Sequence, residues 1–157
     1  EADARLYCRG MLQTPIVEAP EQPISYEELA EWLKPLCAAA VPVRKVPGCT
    51  QAVCQAIANE FFPLEAGSFD QTRTITRQEM ATVAMQACGV DYRNASSTMP
   101  VCADVKQVAN NYGTNVARAL YFGFLTLDKE RRFEPNRPVT KQEAIETIDR
   151  VADFAGV

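Results

Sequence analysis

The chain has 157 residues, with 16 Lys+Arg against 20 Asp+Glu, a net charge of −4 and a pI ≈ 4.9. A chain of this size fits one domain or several small repeats packed as one, and its acidic balance offers no basic face for a phosphate backbone, so nucleic acid is excluded as a partner. With no histidine, most hydrolase triads and zinc sites are removed. No apolar run approaches the roughly 18 residues of a membrane span, so we expect no enzyme, no metal or cofactor, and no membrane insertion.

The chain opens on Glu1-Ala2-Asp3 without a methionine, which suggests a mature form that has lost a leader. A first short helix is predicted around Ala4 to Leu12. After a Pro-bearing loop, Ser25 opens a longer helix with the stripe Leu29, Trp32, Leu33, Leu36. The same order returns twice. Ala56 to Phe61 lies in a short helix, Phe69 to Ile75 in a loop, and Thr76 starts a helix striped by Met80, Val83, Ala84 and Ala87. Asn115 to Phe122 then forms a helix that Gly123 terminates, and Pro135 and Pro138 bar helix. Thr140 opens the last one, striped by Ala144, Ile145, Ile148, Val151 and Phe154.

These elements are copies. Phe69-Asp-Gln-Thr-Arg-Thr-Ile-Thr-Arg-Gln-Glu-Met80 aligns with Phe133-Glu-Pro-Asn-Arg-Pro-Val-Thr-Lys-Gln-Glu-Ala144 at a spacing of 64, and carrying that register back sets Ala56 against Leu120. Ile24-Ser25-Tyr26-Glu27-Glu28-Leu29 aligns with Ile75 to Met80 at a spacing of 51, and Ala4 to Leu12 with Ala117 to Leu125 at 113. The expected fold is all-α: three helix-loop-helix repeats, 1–40 (degenerate), 41–95 and 96–157, packed as one pseudo-threefold bundle because no stripe can be buried alone.

None of the six cysteines forms a C-x-x-C pair, so an oxidised, disulfide-braced protein is favoured over redox or metal chemistry. Cys37 and Cys88 stand 51 residues apart, at the repeat spacing, and each is followed by another cysteine in the next connection. Symmetry thus predicts Cys37 with Cys49, Cys88 with Cys102 and, by elimination, Cys8 with Cys54. Asn94-Ala95-Ser96 matches a glycosylation acceptor.

Phe133 to Ala144, preceded by Asp104-Val105 and Gly123-Phe124, resembles the S-layer homology domain of bacterial surface proteins. Thr76-Arg77-Gln78-Glu79 is similar to that family's Thr-Arg-Ala-Glu signature, Thr140-Lys141-Gln142-Glu143 carries Lys for Arg, and Ser25-Tyr26-Glu27-Glu28 has lost the cation. The resemblance implies a three-lobed noncatalytic module, secreted to the bacterial cell surface, that binds an anionic, often pyruvylated, wall polysaccharide in grooves between lobes. It further implies that the signature Arg contacts a ligand carboxylate.

Ser25 with Glu28, Thr76 with Glu79 and Thr140 with Glu143 are read as capping boxes, in which hydroxyl and carboxylate satisfy exposed helix amides. Arg77 and Lys141 are not needed for capping. Beside free amides they would make an anion site that Arg73 and Arg137 extend, the other reading being a solvated or interlobe ion pair. Tyr112 and Trp32 are candidates for stacking on a sugar, although a lone Trp on a helical stripe reads first as core. Phe69 and Phe133 are read as plugs of the loops onto the core. The alternative function is a self-assembling subunit of a surface layer or filament, with copies of itself or other surface proteins as partners.

Overall fold

The structure is a computed structural model that describes residues 1–89 and 96–157; the Asn94-Ala95-Ser96 acceptor begins outside the described residues. Among those residues the fold is all-α, with strand character confined to isolated bridges. The helices are α1 (Ala2–Cys8), α2 (Tyr26–Leu33), α3 (Gln51–Ala58), α4 (Arg77–Ala87), α5 (Gly113–Phe122) and α6 (Lys141–Ala155). None of the described helices is long and apolar enough to cross a membrane.

Each odd-numbered helix ends the way its sequence dictates. In α1, α3 and α5 the chain turns back with a bond from Met11 N–H to Leu6 O, Phe61 N–H to Ala56 O and Phe124 N–H to Ala119 O, each 2.9 Å. This moves the register expected for the short helices by one residue. Ala56 corresponds to Ala119, not Leu120, because the loop leading to Phe133 is one residue longer than the loop leading to Phe69. The left-handed residue of this turn is Gly10 (φ 75) and Gly123 (φ 76) in two copies, but Glu60 (φ 64) in the third.

Each even-numbered helix packs on the odd helix that follows it: α2 on α3, α4 on α5, and α6 back on α1. The helices of one unit therefore do not form a hairpin with each other; they exchange partners around a ring. Three extended residues just before the even helices close that ring. Ile24 N–H donates to Val139 O (3.0 Å), Val139 N–H to Ile75 O (2.8 Å) and Ile75 N–H to Ile24 O (3.3 Å), and all three side chains are fully buried. Their β-branched side chains suit extended backbone and form the hub onto which the stripes pack.

The stripes are buried as their 3.6-residue period requires. Met80, Val83, Ala84 and Ala87 on α4, and Ala144, Ile145, Ile148 and Val151 on α6, are inside, each larger one contributing about 1.5–3 kcal/mol. Phe154 departs from the pattern and is 43% exposed; it packs edge-on to Phe122, whose ring also meets Tyr121, 64% exposed. Phe133 is fully buried, and Phe69, half-buried, stacks on Phe62 with Tyr26 edge-on to both rings.

None of the expected disulfides is formed among the described residues. Cys8 is exposed on α1, which packs against α6, whereas Cys54 is buried on α3, against α2. Their elements have different partners, so elimination joined residues that the ring keeps apart. The thiols of Cys37, Cys49 and Cys102 instead donate to Leu33 O, Phe69 O and Asp104 Oδ1, and that of Cys88 to Met85 O.

Candidate functional site

The signature residues gather where each even helix begins against the next unit's loop. Thr76 and Thr140 are N-caps of full capping boxes: each hydroxyl accepts from the N–H of Glu79 or Glu143, whose carboxylate accepts from the threonine N–H. Ser25 caps α2 by accepting from Glu28 N–H (3.2 Å), but here the reciprocal backbone bond is missing, and within the box the Glu28 carboxylate accepts from the Ser25 hydroxyl instead (3.3 Å).

The first two amides of each even helix are not free, contrary to the expected anion site at the helix start. Tyr26 and Glu27 N–H donate to Arg73 and Gln71 O, Arg77 and Gln78 N–H to Arg137 and Pro135 O, and Lys141 and Gln142 N–H to Gln22 and Pro20 O. The next unit's loop supplies these carbonyls, so the helix starts are consumed in assembling the ring.

At Thr76 and Thr140 the side chain after the cap, Arg77 or Lys141, reaches the capping glutamate of the next unit. Arg77 is 7% exposed and spends its guanidinium on Glu143 Oε2 (2.9 Å), Phe133 O (2.6 Å) and Thr126 O (2.6 Å), lying flat on the Phe133 ring at 4.6 Å. Burial lowers its proton affinity below that of an ordinary guanidinium, more than Glu143 raises it. Arg137 adds bonds to both Glu143 oxygens, at 2.6 and 3.0 Å, and one to Glu134. Burial pushes the Glu143 carboxyl up, but Arg137 and Arg77 outweigh it and hold the group below its usual range.

Tyr26 stands where the other units have a cation. Its ring lies under the Arg73 guanidinium at 4.9 Å, and Arg73 Nη1 donates to Glu79 Oε2 (2.8 Å). The Tyr26 hydroxyl is buried without a hydrogen-bond partner, and burial, reinforced by Glu79, drives its ionisation far up. Tyr112, at the start of α5, is half-buried and lies in the field of Glu79 and Arg73; burial is the main cause of its raised pKa. Burial also pushes the Glu79 carboxyl up, yet the Thr76 amide and Arg73 bring it below the usual range.

Lys141 is placed differently. Its Nζ meets Glu28 Oε2 at 3.0 Å, with side-chain exposures of 17% and 45%. This pair sits in the wall of an open cavity of ≈ 890 Å³ whose lining includes Met11, Ile16, Trp32 and Lys34. Ile16 is 72% exposed, and Trp32 is half-buried, one edge on the core and one on the cavity. A smaller cavity of ≈ 270 Å³ is lined by Asp104, Gln107, Arg132, Glu134, Asn136 and Arg137.

Of the two sequence readings of Arg77 and Lys141, the ion pair between units is the contact these side chains make here, and two features carry no sequence signal. The loop of residues 10–18 that walls the large cavity carries no motif. The carbonyls of Phe133 and Thr126 that engage Arg77 belong to residue types with no acceptor side chain or with a different one. Asp104 was legible as part of the motif; its carboxylate accepts from Phe133 and Glu134 N–H, each 2.8 Å, and so fixes the loop that presents those carbonyls.

The S-layer homology domain family matches residues 103–145, a span that covers α5, the loop with Phe133, and the start of α6. Domains of that family are noncatalytic binding modules that anchor proteins to cell-wall polysaccharides at the cell surface or envelope. No curated protein matches the chain.

Proposed function

We propose that the chain is a noncatalytic, secreted cell-surface module that binds an anionic wall polysaccharide, its units 1–40, 41–95 and 96–157 forming a pseudo-threefold bundle. The closed ring of Ile24, Val139 and Ile75 bonds supports the symmetry. One observation carries the ligand reading: the open cavity sets a lysine ammonium and a half-buried tryptophan on one wall. An acidic sugar needs that pairing, a cation for its carboxylate and an aromatic face for its C–H surface.

The ligand's carboxylate, a pyruvyl ketal included, goes to Lys141. Arg73 and Arg137, 42% and 40% exposed, with Tyr112 form a secondary contact zone at the neighbouring junctions. Arg77, with its guanidinium engaged internally, serves this site indirectly by holding Glu143 and through it Arg137. The exposed aromatic face of Tyr121 and Phe154 supports a second reading in which copies of the chain also pack on one another.

The test is cosedimentation with purified bacterial wall sacculi. We expect the native chain to pellet with sacculi that retain their anionic polysaccharide and not with sacculi stripped of it, and Lys141→Met to lose most of the binding. Retention by the stripped wall, or indifference to Lys141→Met, removes this site.

A further inference from the structure

The structure points to a role for Glu28 that caps do not require: we propose that it is an internal competitor that occupies Lys141 and must leave before an acidic sugar can bind. This rests on the glycan reading above and adds a selectivity device to that site. The carboxylate is already where a ligand's would be, 3.0 Å from the Lys141 ammonium and inside the same cavity as Trp32.

Glu28 is also the capping glutamate that is free to move. Glu79 and Glu143 are each tied to their N-cap backbone and to an arginine of their own loop, Arg73 or Arg137. At Glu28 the backbone bond is missing, and the loop position of Arg73, carried back by the repeat spacing of 51, is Gln22. Of the other charges lining the cavity, Lys34 pairs with Glu31 at 2.6 Å and Glu18 is exposed on the loop of residues 10–18, while the ion pair of Lys141 is with Glu28. Glu28 is 45% exposed, so it can swing into water without unpacking α2.

The consequence is selectivity. A neutral sugar, which gains nothing at Lys141, leaves the Glu28 pair in place and binds beside it, whereas a carboxylate replaces one ion pair with another. The sum of charges in the cavity also changes: with Glu28 in place an incoming anion meets a neutralised lysine, and with Glu28 swung away it meets a cation.

Isothermal titration at pH 7 with a galacturonate trisaccharide and its neutral methyl ester tests this on the whole chain. Glu28→Gln keeps the side chain's size and removes its charge; it should bind the acid about 3- to 5-fold more tightly than the native chain, the scale of an exposed ion pair, and leave the ester unchanged. Equal affinity of native and Glu28→Gln for the acid, with binding lost in Lys141→Met, overturns the competitor while leaving Lys141 as the glycan contact. Equal tightening toward acid and ester overturns it as well, since charge would then not be the cause. Sacculus binding that survives Lys141→Met marks the separate failure of the glycan site itself.

Discussion

Arg77 and Lys141 hold equivalent stations, each one residue after a threonine cap and each reaching the capping glutamate of the following unit, yet they live in opposite surroundings. At the Arg77 junction the cation is buried under Phe133, shares Glu143 with Arg137 and fills its donors with backbone carbonyls. At the Lys141 junction the partner glutamate is half in water and the wall opens into a cavity. The difference follows from the partners: a guanidinium has a rigid planar fork that matches several fixed acceptors at once, whereas an ammonium is a compact charge on a flexible stem that fixes no such set. One junction has become a clasp, and the other keeps room for a guest.

The sharpest way to break this comparison is to remove the two cations in turn. Arg77→Met leaves Glu143 short of a partner and two buried carbonyls bare, and should cost about 3–5 kcal/mol of stability. Lys141→Met breaks a partly exposed pair and should cost about 0.2–1 kcal/mol. Urea unfolding at pH 7 measures both; similar losses would mean that the junctions are not distinct.

Acid sharpens the same contrast. Glu79 and Glu143 have carboxyl groups held below the ordinary value of 4.5 in the folded chain, by the Thr76 amide and Arg73 in one case and by Arg137 and Arg77 in the other, against their burial, which alone would raise them. The folded state therefore binds these protons less readily than the unfolded chain. Their contribution is whole above about pH 4.5 and falls as the pH drops through the lower folded values. Urea midpoints followed from pH 7 to 3 should decline in that window, and decline less in Arg77→Met, which has already lost part of what Glu143 contributes.

A further expected effect, opposite in sign, concerns the end of α3. Glu60 takes the left-handed turn that Gly10 and Gly123 take in the other copies. Glu60→Gly should raise stability by about 0.5–1 kcal/mol in the same urea assay, because the turn strains any residue with a Cβ. A loss of stability would show that the Glu60 side chain contributes more than its backbone costs.

Much of this was legible in residue order. Thr-x-x-Glu before an apolar stripe marks the starts of α4 and α6, and Gly123 marks the end of α5, because caps and turns are made by residues a few positions apart. The stripe of α6 was read one residue too far, at Phe154, because a periodicity says which face is apolar and not where the neighbouring helix ends. The short-helix register slipped by one at Ala56 because low-identity helices align equally well at adjacent offsets until backbone bonds choose between them.

The sulfur pairing failed for a related reason. Repeat spacing locates Cys37 and Cys88 at equivalent helix ends, but whether two thiols meet depends on which helices are neighbours, and here each helix pairs with one from the next unit. Tyr26 shows the converse. Its loss of charge was visible at once, and its burial against Phe62 and Phe69 was not, since an aromatic in a cation's place reads as surface until packing closes over it.

The amino-acid order alone determined the helical class and the helix caps, and it carries the recurring string, because each depends on side chains within a turn or on a repeated pattern. The fold in three dimensions decided that the helix amides are spent on the next unit's carbonyls, that Arg77 is sealed in and Lys141 left beside a cavity, and that Glu28 faces it. Those outcomes turn on which backbone from a distant part of the chain arrives at each helix start, and no residue carries that information by itself.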